Sequence, residues 1–186
     1  MMRDKIKNRD IQNIDDDIIK AKRLIRERLC SDEDIIEVLH NVDLEENEAP
    51  PDEYFGTNIF SFVRIPGIQE KVKNFICFSV SDMEESEMNF TMKIQQVQFV
   101  VFCDASDIRT EYGIDRHDLL SYIIRDLFNW SDLLGMQMKL VYNREGVTDT
   151  DYYTRTLRFN CTRQNSLPRN LAMNKYEDDA FRRNRQ

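Results

Sequence analysis

The feature that most constrains the fold is a broad apolar stripe within residues 113–130, flanked on both sides by strand-like runs. Its members recur at positions i, i+1, i+4, i+5, i+8 and i+9, and they are Leu119, Leu120, Ile123, Ile124, Leu127 and Phe128. This spacing predicts one helix from about Arg116 to Leu134, with Asp115 as its N-cap. Because so wide an apolar face must cover a sheet, we expect the stripe to be buried. The expectation applies above all to Leu120, Ile124, Leu127 and Phe128.

Strand-like runs make up most of the chain beyond Tyr54. They are rich in aromatic and β-branched residues, and they span residues 58–65, 72–80, 89–104, 136–143 and 152–161. The acidic segment SDMEESEM, residues 81–88, joins the second run to the third and predicts a hairpin loop. Three runs before the helix and two after it predict an α+β fold, with a mostly antiparallel sheet of about four to five strands packed on one long helix.

The N-terminal part of the chain is predicted to be helical. Residues 14–29 carry apolar side chains at helical spacing, with acids preceding bases, which predicts an amphipathic helix. Ser31 is expected to cap a second, short helix, and the acid-rich residues 43–53 predict an extended, solvated linker. We therefore expect three parts: residues 1–53 as an N-terminal helical extension with an acidic linker, residues 54–163 as the α+β core, and residues 164–186 as a C-terminal arm.

The composition of the chain excludes several classes of function. The chain has 186 residues, enough for one domain with a sizeable core. Its formal net charge of -8 argues against a protein that mainly grips nucleic acid, because phosphate binding needs a concentrated basic surface. The N-terminal segment has no apolar run, so we expect neither signal-peptide export nor membrane insertion. Four cysteines without a CxxC pair predict reduced core thiols, namely Cys30, Cys77, Cys103 and Cys161.

The first candidate for catalytic chemistry is His117, which stands between Asp115 and Asp118. Two carboxylates beside an imidazole could bind a metal or transfer protons. A lone histidine with capping acids, however, does not supply the usual three or four protein ligands of a metal site. The pattern therefore favours a helix start, and we expect His117 to be unliganded and the protein to use no cofactor.

A second constellation of acids leaves one enzymatic alternative open. Asp104, Asp107, Asp115 and Asp118 could hold two Mg²⁺ ions for phosphodiester hydrolysis. No lysine lies near them in the sequence, and each acid has a local role at a strand end, turn or cap. The common phosphate-loop, zinc-protease and nucleophile-elbow motifs are absent from the sequence. We therefore predict that the protein is not an enzyme and does not cleave DNA with Mg²⁺.

The order of elements then indicates a known family. The elements follow one another in a fixed order. A strand ending QFVVFCD comes first, and after it come a loop with Gly113, the helix DRHDLLSYIIRDLF, the run GMQMKLVYN, a polar loop and the run YYTRTLRFNC. Over roughly residues 54–163 this order resembles the tail terminator, or tail-completion, proteins of long-tailed bacteriophages. The resemblance rests on the order of the elements and on their general residue character, since that family has no invariant catalytic signature.

The resemblance implies a mechanical function in the tail or neck of a virion. It implies a ring, expected to be a homohexamer, that binds the last ring of the tail tube, ends tube polymerisation and joins the tail to the head connector. DNA would pass through a channel without sequence-specific binding, and a negative net charge suits such a conduit. The expected partners are further copies of the chain, the tail tube protein and the head connector or stopper protein, with assembly in the host cytoplasm. Two alternatives stay open: a head-completion or stopper protein of the neck, and a monomeric intracellular adaptor.

A ring interface is head-to-tail, so each subunit must offer two different surfaces, which we expect from sheet edges and arms. We expect arginines of the N-terminal helix to pair with residues 43–53 or with the loop 82–88 of a neighbouring subunit. We also expect the glutamines of the long strand to face water in the monomer. The candidate interface residues are Arg23, Arg26, Arg28, Glu84, Glu85, Glu87, Gln95, Gln96, Gln98, Tyr176 and Phe181. Deleting residues 1–30 or 164–186 is expected to leave the β-rich core folded and to impair assembly.

Overall fold

The computed structural model describes residues 16–64, 72–86 and 89–164. The helices in these ranges are α1 (Asp17–Cys30), α2 (Glu33–Leu39), α3 (Val42–Glu46) and α4 (Arg116–Phe128). The strands are β1 (Ile59–Phe60), β2 (Asn74–Ser86), β3 (Asn89–Asp104), β4 (Met138–Val147) and β5 (Tyr152–Gln164). No helix in the described ranges is long and apolar enough to cross a membrane.

The five strands form one sheet in the order β1-β2-β3-β5-β4. β1 pairs with β2 in parallel, and the three other pairs are antiparallel. The long strand β3 lies at the centre, between β2 and β5. This arrangement confirms the predicted α+β fold and the predicted order of strands and helix.

The main hydrophobic core lies between α4 and the inner face of the sheet. Because side chains alternate along a strand, β3 turns one set of apolar residues towards the helices, and these are the fully buried Val97, Phe99, Val101 and Cys103. α4 buries Leu120, Ile124 and Phe128 against them, and the rings of Phe99 and Phe128 lie 4.7 Å apart. Leu127 is only partly buried. The predicted burial of the stripe is thus confirmed for three of the four residues.

The two N-terminal helices pack into this same core. Five of their apolar side chains are fully buried in it, those of Ala21, Ile25, Leu29, Ile35 and Leu39. The N-cap of α2 is Asp32 and not the predicted Ser31, because the Asp32 carboxylate accepts a hydrogen bond from the Ile35 N–H at 3.1 Å. Since α1 fills part of the core, the structure leads us to expect that deleting residues 1–30 disturbs the β-rich core.

The acidic segment 43–53 is not an extended linker, contrary to the prediction. Asn41 caps α3 by accepting a hydrogen bond from the Leu44 N–H, and Pro51 begins a short 3-10 turn that ends at Tyr54. The Tyr54 side chain is 2% exposed. The cap and the buried phenol ring hold this segment on the core, while most of its acidic side chains still face water.

Several element boundaries also differ from the predictions. α4 ends at Phe128 rather than Leu134, because Trp130 has φ 66, a left-handed conformation that does not continue an α-helix. Asp115 stands at the N-cap position, although its side chain makes no cap hydrogen bond. β2 continues to Ser86, into the segment that was predicted as a loop, and β1 has only two residues.

A smaller apolar cluster covers part of the outer face of the sheet. It consists of Phe60, Phe75, Cys77, Val100, Phe102 and Tyr152. The guanidinium of Arg64 stacks on the Phe60 ring at 4.8 Å. All four cysteines of the chain are buried and free, as predicted, and burial raises the pKa of each thiol. Such thiols are poor nucleophiles, so they act as core residues.

Candidate functional site

His117 lies where the first turn of α4 meets strands β4 and β5, and its side chain is buried. Its Nε2 atom is 3.1 Å from Glu145 Oε1 on β4 and 3.7 Å from Asp118 Oδ1. Its Nδ1 atom is buried and has no hydrogen-bond partner within the described part of the chain. Glu145 follows His117 by 28 residues. No spacing rule connects residues so far apart, so sequence reasoning missed this contact.

The three side chains of this cluster could hold a metal ion, since one ligand atom from each lies within 4.8 Å of the others. Arg155 on β5, however, already binds the Asp118 carboxylate and donates a hydrogen bond to Asn143 Oδ1 at 2.8 Å. A bound cation would therefore face a fixed positive charge. The hydrogen bond from His117 lowers the pKa of Glu145. The arrangement is an ion-pair network that ties α4 to the sheet, which favours a structural role for His117.

Asp107 joins the N-terminal helices to the sheet and to α4. Its carboxylate accepts hydrogen bonds from Asn74 at 2.7 Å and Arg116 at 3.1 Å, and it lies 3.1 Å from His40 Nδ1. Arg116 is 7% exposed and also donates to the Val38 carbonyl oxygen at 2.8 Å. One buried guanidinium therefore fixes α2 against the start of α4.

No three of the four acids considered as Mg²⁺ ligands, all of them described, form a potential metal-ligand group. Asp107 and Asp118 each pair with an arginine. Asp104 accepts hydrogen bonds from Ser106 and from Lys73, whose Nζ lies 3.5 Å away. The premise that no lysine accompanies these acids is therefore wrong for Asp104. Antiparallel pairing of β2 with β3 brings the start of one strand beside the end of the other, which the sequence distance conceals.

The predicted interface arginines of α1 differ in their surroundings. Arg23 and Arg28 lie on its exposed side. Arg26 contacts Asp52 at 3.2 Å and stacks on the Phe55 ring at 4.3 Å, both within the same chain. Part of the expected pairing between α1 and the acidic segment 43–53 is thus intramolecular. The role of these arginines in subunit contacts stays a prediction.

The three glutamines of β3 point to two different faces of the sheet. Gln95 is fully buried, and its amide donates to Asp82 and accepts from Arg163. The expectation that it faces water in the monomer is therefore wrong, since alternation places it on the helix side. Gln96 and Gln98 lie partly exposed on the outer face, where side chains of β5 bind both of them.

Five other candidate interface positions cannot be compared with contacts in the structure. The side chains of Glu84 and Glu85, and the residues Glu87, Tyr176 and Phe181, lie outside the described residues. Their interface roles stay predictions.

An apolar groove of about 300 Å³ lies between α2 and α4, and we call it the α2–α4 groove. Its lining residues are Asp34, Glu37, Val38, Tyr112, Leu119, Tyr122 and Ile123. The side chains of Tyr112 and Tyr122 are each 56% exposed. Sequence reasoning missed this surface, because the groove exists only once α2 has packed beside α4.

Comparison with known proteins identifies the family. The sequence profile of the YomW family matches residues 32–161. The chain belongs to the YomW family. A search of curated protein sequences finds no significant match. Among solved structures, a chain in the virion of a native gene transfer agent particle shares the fold, with a TM-score of 0.50 and 12% sequence identity over 77% of this chain and 94% of that chain.

The matched range contains most of the sites described above. In this YomW-family protein, the His117 cluster, the contacts of Asp107 and the α2–α4 groove all lie within residues 32–161. α1 precedes the matched range, although it contributes to the core. The family match therefore covers the sheet except for the last three residues of β5, together with α4 and the helix that forms one wall of the groove.

Proposed function

We propose that this YomW-family protein is a structural subunit of a phage-type virion and forms a hexameric ring at the head-proximal end of a tail. The ring ends tail-tube polymerisation and joins the tail to the head connector, and it leaves a channel for DNA. The observation that carries the proposal is the fold shared with a chain of a gene transfer agent virion over 94% of that chain. The phage-derived character of the YomW family supports the same conclusion.

The two edges of the sheet suit a head-to-tail contact. β4 forms one edge, and it exposes the apolar side chains of Val141 and Val147. At the other edge, β1 pairs only with Ile76 and Cys77, so the rest of β2 has no paired neighbour on that side among the described residues. Open strand edges readily accept another strand, and two different edges on one subunit permit the repeated contact that closes a ring.

Mass measurement tests ring formation. Native mass spectrometry of the full chain, alone and with the tail tube protein, should detect six copies of the 22.2 kDa chain, about 133 kDa. Electron microscopy of the same sample should show a ring with a central channel. A monomer under every condition, including an excess of tail tube protein, would contradict the proposal and favour a monomeric adaptor.

Particles made without this subunit test its place in the virion. If the ring ends tube polymerisation, its loss should produce tails of uncontrolled length beside DNA-filled heads. Tails of normal length that fail to join heads would instead indicate a head-completion or stopper protein. Re-supplying the full chain should restore normal length, which controls for secondary defects.

A further inference from the structure

The α2–α4 groove combines an apolar floor with exposed aromatic side chains. Val38, Leu119 and Ile123 supply aliphatic surface, and Tyr112 and Tyr122 stand at the opening with more than half of each side chain exposed. Arg125 stacks on the Tyr122 ring at 5.1 Å and helps to hold the ring in place. Exposed aromatic rings beside partly buried aliphatic groups in one concave site are typical of a surface that binds a protein segment.

The wall that α2 supplies is acidic. Asp34 and Glu37 line the groove, Glu33 lies in the first turn of the same helix, and α2 contains no lysine or arginine. The Tyr112 hydroxyl donates a hydrogen bond to Glu37 Oε1 at 2.6 Å. This bond raises the pKa of Tyr112 to about 12, so the phenol stays neutral. The groove therefore fits a segment with apolar anchors and basic neighbours.

The C-terminal segment of this chain has that composition. Residues 165–186 contain five basic and three acidic residues, in a chain whose formal net charge is -8. Its large apolar residues are Leu167, Leu171, Met173, Tyr176 and Phe181. Three of its five basic residues follow Phe181 within four positions, so an aromatic anchor and a positive cluster are close together in the sequence.

The direction of β5 favours binding of the C-terminal segment to the groove of another copy over binding to the groove of its own copy. Tyr153 lies at the end of the strand that is beside the start of α4, where its ring centroid is 5.9 Å from that of His117. β5 then continues for eleven residues to Gln164, about 36 Å further at 3.3 Å per residue. The chain thus leaves the sheet at the end away from the groove. A donor segment and an acceptor groove at opposite ends of one subunit make the head-to-tail contact that a ring requires.

From this geometry and charge we infer that residues 165–186 of one copy bind the α2–α4 groove of the next copy. The inference rests on the proposed ring, because it supplies one of the two surfaces by which neighbouring subunits meet. Phe181 or Tyr176 occupies the apolar floor beside Tyr122, and the arginines that follow Phe181 face Asp34 and Glu37.

Photo-cross-linking in the full chain tests this contact. Phe181 is replaced by p-benzoylphenylalanine, and ¹⁴N-labelled and ¹⁵N-labelled copies are mixed before irradiation. Mass spectrometry should find cross-links to peptides that contain residues 34–38 or 119–123, joining light to heavy copies. The variant Tyr122→Ser should reduce this yield at least about tenfold, since removal of a central aromatic anchor weakens docking strongly. The matched control is Trp130→Ser, which changes another aromatic side chain, 59% exposed and outside the groove, and should leave the yield unchanged.

The outcomes separate this inference from the ring itself. Rings of six copies with cross-links outside the groove overturn the docking and leave the ring intact. Cross-links to the groove only within one copy also overturn it, and a monomer in the same sample contradicts the ring as well. Equal loss of yield in both serine variants would show that Tyr122 has no special role and would overturn the placement of Phe181.

Discussion

Replacing Arg116 with methionine should remove a large part of the free energy of unfolding. In the structure this guanidinium donates hydrogen bonds to the Val38 carbonyl at 2.8 Å, the Asp107 carbonyl at 2.8 Å and Asp107 Oδ1 at 3.1 Å. Methionine fills a similar length but donates no hydrogen bond. Each hydrogen bond to a charged group contributes about 1.5–3 kcal/mol, although the three are not additive. Because the change also leaves Asp107 without its arginine partner, we expect a loss of about 3–5 kcal/mol, the usual cost of breaking a buried ion pair.

Urea unfolding of the full chain, followed by circular dichroism at pH 7, measures this loss. The control is Arg109→Met, which makes the same chemical change at an exposed position seven residues earlier. A surface substitution of this kind should change the free energy of unfolding by less than about 0.5 kcal/mol. A loss below about 1 kcal/mol for Arg116→Met, or equal losses for the two variants, would refute the role of Arg116 in fixing α2 against α4.

Three further predictions concern the core and the His117 cluster. Ile124→Leu should lower the free energy of unfolding by less than about 1.5 kcal/mol, whereas Ile124→Asp should lower it by several kcal/mol because it buries an unpaired charge. Urea unfolding midpoints measure both losses, and similar midpoints for the two variants would contradict the burial of Ile124. Glu145→Gln should lower stability at pH 7, and its effect should fade as the pH falls towards 3. The hydrogen bond from His117 lowers the pKa of Glu145 in the folded chain. The contact therefore adds to the free energy of unfolding above the unfolded pKa of about 4.3, and this addition is lost as the pH falls through the lower folded pKa. Urea titrations that show the same loss of stability at pH 7 and at pH 3 would speak against this linkage. Deleting residues 1–30 should abolish cooperative thermal unfolding, because it removes the fully buried side chains of Ile25 and Leu29. Each of them contributes about 1.5–3 kcal/mol to a domain whose free energy of unfolding is about 5–15 kcal/mol. A melting curve like that of the full chain would disprove this prediction.

The sequence predicted what depends on local periodicity. The stripe of α4 and the alternation of β3 each lie within a single element, so the period alone reveals which face is buried. The limits of the elements depend on tertiary contacts and were predicted less well. α4 stops near Asn129, whose side-chain oxygen accepts a hydrogen bond from the Leu140 N–H across the turn to β4. Likewise, the acidic segment 43–53 folds back on the core because Tyr54 is buried there, a contact that its charge pattern does not indicate.

The candidate sites depend almost wholly on contacts between elements. His117 could be placed on the first turn of a helix, but its partner Glu145 comes from a strand 28 residues away. Lys73 reaches Asp104 only through the pairing of β2 with β3. The same limit explains why Gln95 was expected at the surface. A polar residue in a strand suggests an exposed face, whereas here Asp82 and Arg163 satisfy the amide inside the subunit.

Under the proposed docking, stability and assembly depend on one structural element, α2. α2 supplies the acidic wall of the α2–α4 groove, and Arg116 fixes that helix by its contact with the Val38 carbonyl. Val38 lines the groove itself. A subunit in which α2 has not packed against α4 therefore lacks the groove, and under the proposed docking it cannot accept the C-terminal segment of a neighbour. It follows that Arg116→Met should weaken cross-linking from Phe181 even in mild conditions where the sheet stays folded, whereas Arg109→Met should leave both the fold and the docking unchanged.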